Sequence, residues 1–195
     1  MKHVSTGIAI LTTLLLLGGC GRTVTRVNPD TVIDLSGRWN DTDSRLVANE
    51  MIGNMFRDRW LPEHARTNPG KRPVVVVGLV TNKSHEHINA ETFILDIEKA
   101  IVQDGAIRLV VAGEKRDELR RERANQQDFA SPETMKRWGR ELGADFILQG
   151  SINSIVDAYR RDKTVFYQVD LQLTNIETNE VVWIGDKKIK KSINN

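Results

Sequence analysis

The chain has 195 residues with 28 basic and 26 acidic side chains, which gives a formal net charge of +2. That near balance gives no general argument for nucleic acid as a partner, and the single cysteine excludes an internal disulfide. With 39% apolar residues, a chain of this length can bury the core of one globular domain.

The first twenty residues have the pattern of a lipoprotein signal peptide. Lys2 supplies a positive charge, and residues 8–17 (IAILTTLLLL) form an apolar run. That run is about half as long as the roughly 20 residues that a permanent membrane-spanning helix needs. Gly18, Gly19 and Cys20 follow, in an arrangement that resembles the lipobox of lipoprotein signal peptidase. We therefore expect cleavage between Gly19 and Cys20, and lipidation of Cys20 by diacylglycerol, which the thiol takes up, and by palmitate.

The segment after Cys20 has the composition of a tether. Residues 21–34 are polar, contain one proline and show no sustained hydrophobic period. Fully extended, ~14 residues span about 45 to 50 Å, and as a coil they average about 20 Å. We expect a signal peptide over residues 1–19, the lipidated cysteine and a short tether over residues 20–38, and a globular domain over residues 39–195.

Two helices and two strands are predicted in the first half of that domain. Asp43 or Ser44 can cap a helix that runs to about residue 60. One face of this helix carries an apolar stripe: Val47, Met51, Ile52, Met55, Phe56 and Trp60. The stretch that follows, residues 62–73, is basic and rich in turn-forming residues. Residues 74–80 (VVVVGLV) indicate a strand buried on both faces. A helix between caps at Asn89 and Gly105 and a strand over residues 107–111 then complete a βαβ unit.

The middle of the chain is strongly charged. Residues 114–128 could form a basic patch for phosphates or lipid headgroups, but interleaved acidic residues and the lack of aromatic residues favour a solvated helix or a mobile loop. Ser131-Pro132-Glu133 indicates the start of a further helix, which Gly143 ends and which buries Met135, Trp138 and Leu142.

The last third is rich in strands. Residues 146–156 indicate a strand, and residues 165–173 alternate strictly between apolar and polar side chains, which is typical of a sheet covered on one face. Residues 175–179 form a turn, residues 181–184 return as the hairpin partner, and residues 186–191 (DKKIKK) form a charged end. The predicted fold is α/β (α+β), a mixed β-sheet of about four to five strands flanked by helices, with a C-terminal antiparallel hairpin.

No motif in the sequence indicates catalysis. His85-Glu86-His87 could place two histidines on one side of an extended segment, but no spacing nominates a third metal ligand, and exposed loop histidines are the favoured interpretation. Nucleophile elbows, phosphate-binding loops and dinucleotide fingerprints are absent. We therefore expect no enzyme, no cofactor and no metal. A metal-dependent enzyme at the two histidines is the least favoured alternative.

Several stretches resemble the LpoB family, outer-membrane lipoproteins that activate a bifunctional penicillin-binding protein. They are residues 80–82 (VTN) leading to Ile88, residues 103–105 (QDG), residues 143–152 (GADFILQGSI) and the hairpin at residues 173–183 (LTNIETNEVVW). With the lipobox, the resemblance covers the chain from about Trp39 to Lys191. The strand and hairpin patterns also recur in other lipoproteins with a TolB N-domain-like fold, and the resemblance implies that fold here.

What the resemblance implies is regulation by contact. The domain would dock on a small regulatory domain of a class A penicillin-binding protein, a peptidoglycan synthase, and would raise its polymerising and cross-linking rates. No small-molecule substrate and no nucleic acid are implied, and no local motif identifies the interface. By resemblance to enterobacterial lipoproteins, Gly21 in place of an aspartate implies anchoring in the outer membrane, with the domain facing the periplasm.

The short tether departs from the family pattern, because LpoB proteins use a long flexible segment to reach a synthase rooted in the inner membrane. Either this domain meets another partner near the outer membrane, or the envelope is tighter, or the anchor lies in the inner membrane. The alternative function is a structural or assembly lipoprotein, resembling the curli secretion lipoprotein, that oligomerises through its sheet edges or apolar strands.

Overall fold

The structure is a computed structural model that describes residues 23–29, 31–129, 143–160 and 162–193. The chain divides into two compact units, residues 1–31 and 32–195. In the described part of the first unit, no helix or strand is present, and the Thr31 amide donates to the Asn28 carbonyl oxygen at 2.9 Å. The helix predicted to start at Ser131, with its buried Met135, Trp138 and Leu142, lies outside the described residues.

The second unit contains four described helices and five described strands. In chain order they are α1 (Asp41–Arg57), α2 (Trp60–Thr67), β1 (Val74–Asn82), α3 (Ala90–Asp104), β2 (Arg108–Val110), α4 (Gly113–Phe129), β3 (Phe146–Tyr159), β4 (Asp162–Asn175) and β5 (Val181–Ile193). The charged stretch of residues 114–128, for which a helix or a loop was possible, is therefore helical in α4.

The strands form one mixed sheet in the order β2-β1-β3-β4-β5. β1 pairs in parallel with β2 and β3, whereas β3, β4 and β5 form an antiparallel meander. The predicted α+β fold with a C-terminal antiparallel hairpin is confirmed, as is the βαβ unit formed by β1, α3 and β2. Asn89 caps α3 and Gly105 ends it in the left-handed conformation, both as predicted.

The core lies between one face of the sheet and the helices α1 and α3. The odd-numbered residues of β4 between positions 165 and 173 face it and are at most 1% exposed, which confirms the predicted alternation: Val165, Tyr167, Val169, Leu171 and Leu173. Phe93, Ile97 and Ile101 of α3 are fully buried opposite them, and α1 adds Val47, Met51, Ile52 and Met55.

The first predicted helix is in fact two helices, and its cap was predicted wrongly. α1 ends at Arg57, and Trp60 begins α2, which occupies part of the stretch predicted to be a turn. The apolar stripe continued to Trp60 because its indole folds back on the core, where Nε1 donates to the Met55 carbonyl oxygen at 2.8 Å. The cap is Asn40, whose side chain and backbone exchange hydrogen bonds with Asp43.

The last strand is much longer than predicted. β5 runs from Val181 to Ile193, whereas the hairpin partner was predicted over residues 181–184, followed by a charged end at residues 186–191. The lysines on its core side find acidic partners on other elements: Lys187 Nζ lies 2.6 Å from Glu50 Oε2, and Lys191 is bound by Asp34 and Asp43. β2, in contrast, is shorter than its predicted range.

Candidate interaction surfaces

The loop between β1 and α3 holds the two histidines that the sequence singled out, and both are exposed as predicted. His85 Nδ1 lies 2.6 Å from Ser154 Oγ, and its Nε2 lies 3.2 Å from Glu86 Oε1. The His85 ring also stacks on Tyr167 at a centroid distance of 6.5 Å. The imidazole is therefore held by groups of the domain itself. Among the described residues, no three His, Cys, Asp or Glu side chains come together as a metal site.

Glu86 and Tyr167 extend this loop into the core. Glu86 Oε2 accepts a hydrogen bond from the Trp39 amide at 3.1 Å, and the Trp39 ring packs edge-on against Tyr167 at 5.6 Å. Burial of Tyr167, together with the nearby Glu86 carboxylate, raises the pKa of its phenol well above the usual value. The phenol therefore stays neutral at physiological pH, and the contacts of Glu86, Trp39 and Tyr167 fix the loop on the domain.

The predicted junction between tether and domain, before α1, is fastened by Lys191 near the end of β5. Its ammonium group lies 2.8 Å from Asp34 Oδ2 and 2.5 Å from Asp43 Oδ2, and it donates to the Arg38 carbonyl oxygen at 2.9 Å. Burial alone would lower the pKa of Lys191, but the hydrogen bonds to both carboxylates outweigh it and raise the pKa. The residues before α1 are therefore fixed to the last strand by a charged amine.

A groove lies at the opposite end of β5, between α2 and the β4–β5 turn; we call it the α2 groove. It is lined by Arg59, Trp60, Glu63, His64, Thr67, Asn68, Phe146, Asn175, Glu180, Val181 and Val182. The ring of His64 packs edge-on against Phe146 at 5.7 Å, and its Nε2 is buried with no partner among the described residues. Ile176 and Val181 are each 47% exposed beside it. The α2 groove thus offers apolar contact area at the start of β5.

An adjoining hollow shares His64 and Asn68 with the α2 groove and adds basic groups. Lys71, Arg72 and Arg108 line it, together with Asp145, whose Oδ2 accepts from the Val74 amide at 2.9 Å. Nothing in the sequence predicted either feature, because their residues come from segments that lie up to about 120 positions apart and meet only in the fold. The turn-rich, basic stretch of residues 62–73 was the one available signal.

The predicted lipidation site, with Gly19 and Cys20, lies outside the described residues. Within the described part of the chain, no helix has both the length and the apolar character needed to cross a membrane.

Comparison with known proteins identifies a family. The model of the family described as peptidoglycan-synthase activator LpoB matches residues 43–189, which is nearly all of the described domain. No curated protein gives a significant match.

Three solved structures illustrate the similarity. The LpoB C-terminal domain from Salmonella enterica is 18% identical, with a TM-score of 0.45, over 75% of this chain and 98% of that one. The corresponding domain from Escherichia coli is 20% identical with a TM-score of 0.44 over the same shares. Lipoprotein GNA1162 from Neisseria meningitidis is 14% identical, with a TM-score of 0.40, over 62% of this chain and 83% of that one.

At these identities and TM-scores the assignment rests on the family model, which spans far more than half of the chain. The chain belongs to the LpoB family of peptidoglycan-synthase activators.

Proposed function

We propose that this protein is an outer-membrane lipoprotein, anchored through Cys20, that activates a class A penicillin-binding protein by direct contact in the periplasm. The observation that carries the proposal is the extent of the family match, which begins at Asp43 and ends at Ile189. What this chain shares with the family is therefore the folded domain. The chain performs no chemistry itself, and activation comes from binding an active conformation of the synthase more tightly than an inactive one.

The α2 groove is the surface that we assign to the synthase. Lys191 fixes the tether junction near the end of β5, and the groove lies beside Val181 at its beginning. A strand of 13 residues is about 40 Å long. Docking through the α2 groove therefore adds the length of the domain to the reach of the short tether, which a contact at the junction end would not do.

The chemistry of the α2 groove suits a protein segment that carries apolar and acidic side chains. Ile176 and Val181 offer apolar contact area. The basic side chains of the adjoining hollow (Lys71, Arg72 and Arg108) favour an acidic approach.

The test is glycan polymerisation by the bifunctional synthase of the same organism, with and without the chain lacking residues 1–20. We expect a several-fold, saturable increase in rate. Val181→Glu should weaken activation by placing a charge beside the α2 groove. Ile184→Glu is the matched control on the same strand, because its side chain is 71% exposed on the open face of the sheet.

No increase in rate with folded protein in excess would contradict the proposal for that synthase. Equal loss of activation in both variants would place the contact elsewhere than the α2 groove. A stable ring or multimer of the isolated chain would favour the assembly alternative, against which the four lysines along the edge strand β5 argue.

A further inference from the structure

β5 is the outermost strand at one side of the sheet, and its outer edge is open over most of its length. The strand has 13 residues and pairs with β4 alone. An extra residue at Val182 interrupts the pairing near its start, and the pairing is regular from Trp183 to Ile193. Among the described residues, no backbone group outside β4 bonds to residues 183–191. β5 therefore presents a long, regular row of unpaired backbone groups.

The hydrogen bonds at the β4–β5 turn show which backbone groups of β5 point away from the sheet. The Asn175 amide donates to Glu180 on the β5 side at 2.8 Å, and the Ile176 amide donates to Asp145 on the β3 side at 3.0 Å. Alternate residues of an antiparallel strand bond to opposite neighbours, so the odd-numbered residues of β4 bond to β5. In the observed register, these residues lie opposite odd-numbered residues of β5. The even-numbered residues of β5 therefore direct N–H and C=O outward: Ile184, Asp186, Lys188 and Lys190.

The same four residues place their side chains on the open face of the sheet. They lie opposite even-numbered residues of β4, whereas the odd-numbered residues of β4 face the core. All four side chains are exposed, and that of Ile184 is 71% exposed. The two lysines on the other face, Lys187 and Lys191, are already bound by acidic side chains of the domain. The residues with outward backbone groups are therefore also those with available side chains.

Lys188 and Lys190 give this edge a positive charge. Lys188 Nζ lies 3.0 Å from Asp186 Oδ2, and no ion pair of Lys190 is present in the part of the chain that the structure describes. Lysines discourage the pairing of an edge with neutral or basic strands. They leave the outward N–H and C=O groups in place, whereas a proline or a covering loop would remove or occupy them. The edge is therefore protected against unselective pairing and remains able to pair with a strand of opposite charge.

We propose that the outer edge of β5 at residues 184–190, which we call the β5 edge, binds an extended acidic segment of a protein partner as an added antiparallel strand. This contact goes beyond the proposed activation of a synthase and does not depend on it. Alternate residues of an extended strand are about 7 Å apart, so carboxylates at two alternate positions match Lys190 and Lys188. The next such position meets Asp186, which Lys188 already pairs, and the one after it meets Ile184 and suits an apolar side chain.

The backbone geometry favours a peptide strand over a phosphate or another small anion. A peptide strand presents N–H and C=O groups at the spacing of the outward groups of β5, so each residue opposite them exchanges two hydrogen bonds. Main-chain hydrogen bonds then supply affinity, and the two lysines supply selectivity for acidic sequences.

The test measures amide hydrogen exchange by NMR in the chain lacking residues 1–20, which contains every described residue. The probe is a synthetic peptide of nine residues with glutamate at its second and fourth positions, leucine at its eighth and threonine elsewhere. With the peptide in excess, we expect several-fold slower exchange of the Asp186, Lys188 and Lys190 amides. The odd-numbered residues between them should not change, because their amides are already bonded to β4. Attraction between side-chain charges alone would not produce this alternation.

Two control peptides separate backbone pairing from charge. One carries lysine in place of both glutamates and therefore lacks the complementary charge. The other keeps the glutamates, but its backbone nitrogens are methylated at the second, fourth, sixth and eighth positions, which removes the donors that the added strand needs. We expect neither peptide to slow exchange at the β5 edge.

A charge reversal in the protein tests the selectivity. Lys188→Glu combined with Lys190→Glu changes two exposed side chains. The double variant should bind the lysine peptide and lose the glutamate peptide. Lys99→Glu is the matched control, because Lys99 is exposed on α3, and this variant should keep the preference for glutamate.

Unchanged exchange at the β5 edge with the glutamate peptide would overturn the proposal, as would equal protection by the methylated peptide. Retained preference for the glutamate peptide in the double variant would also overturn it, since the two lysines would then not select the partner. None of these experiments measures activation of the synthase, so this proposal and the proposed function fail independently.

Discussion

At the scale of single residues, Lys191 joins the last strand to the segment around the start of α1, about 150 positions earlier in the sequence. Its side chain is 10% exposed and binds Asp34, Asp43 and the Arg38 carbonyl oxygen. Replacement by methionine keeps the aliphatic stem but leaves the largely buried Asp43 carboxylate without its cation. We expect Lys191→Met to lower the free energy of unfolding by about 2–3 kcal/mol, measured by urea denaturation.

Lys188→Met is the control for that substitution. Lys188 lies on the same strand, but it is 55% exposed and forms an ion pair with Asp186 at 3.0 Å. An exposed pair of this kind contributes little, so the change should stay below about 0.5 kcal/mol. Equal effects of the two substitutions would mean that Lys191 does not fasten the junction.

Asp34 makes the same junction sensitive to acid. The hydrogen bond from Lys191, with those from the Gly37 and Ser36 amides, outweighs partial burial and lowers the pKa of this carboxyl below its ordinary 3.8. A carboxyl whose pKa is lower in the folded state stabilises the fold above its unfolded pKa. That contribution is lost as the pH falls through the folded value.

Asp34→Asn should therefore be less stable than the unmodified protein at pH 6 to 7, and the difference should shrink below the ordinary pKa of aspartate and then close. Urea unfolding of both proteins between neutral and acid pH measures it. A difference in stability that is constant across that range would mean that the ion pair with Lys191 does not contribute.

At the scale of elements, Gly150 fixes how closely β3 can approach β4. A Cβ atom at this position would overlap the Asp170 carbonyl oxygen and a methyl group of Leu171. Gly150→Ala must therefore separate the two central strands of the meander, and we expect a loss of about 2–3 kcal/mol in the free energy of unfolding. Gly143→Ala is the control, since no atom of the described residues lies within 4 Å of where its Cβ would be, and similar losses in both would contradict this account.

Helices and strands whose residues follow a local hydrophobic or capping pattern could be predicted from the sequence. The alternation along β4 follows from one buried face, and the caps of α3 are chosen by backbone geometry at Asn89 and Gly105. The length of β5 could not be predicted in this way. In the sequence, the lysines of β5 indicate a solvated chain end. In the fold, Lys187 and Lys191 on the core side pair with Glu50 and Asp43, which lie about 140 residues away in the sequence.

The break between α1 and α2 shows the same limit. The hydrophobic periodicity predicted one helix as far as Trp60, because a buried indole at that position fits either a continuing helix or the start of a new one. The contact with Phe146, at a ring distance of 5.4 Å, decides between them and involves a strand 86 positions later. The α2 groove exists only because α2 is a separate helix. Local sequence patterns could therefore not predict this candidate interface, since it also depends on contacts between distant residues.

At the scale of the whole molecule, the reach of the tether limits the proposed activity. Deleting residues 23–31 removes nine residues, which is up to about 30 Å of extended chain. In solution, the truncated chain should activate the synthase as well as the longer one, because the domain is intact. In cells whose wall synthesis depends on that synthase, we expect the deletion to abolish function if the anchor and the synthase lie in opposite membranes.

A Gly-Ser segment of the same length, inserted in place of residues 23–31, shows whether the length of the tether or its amino-acid sequence is required. It should restore growth, since a flexible segment needs only to span the gap. Unimpaired growth of the deletion strain, with the protein lipidated and at normal abundance, would show that reach does not limit contact. The anchor and the synthase would then lie closer together than anchoring in opposite membranes requires, as in the case where both are held in the inner membrane.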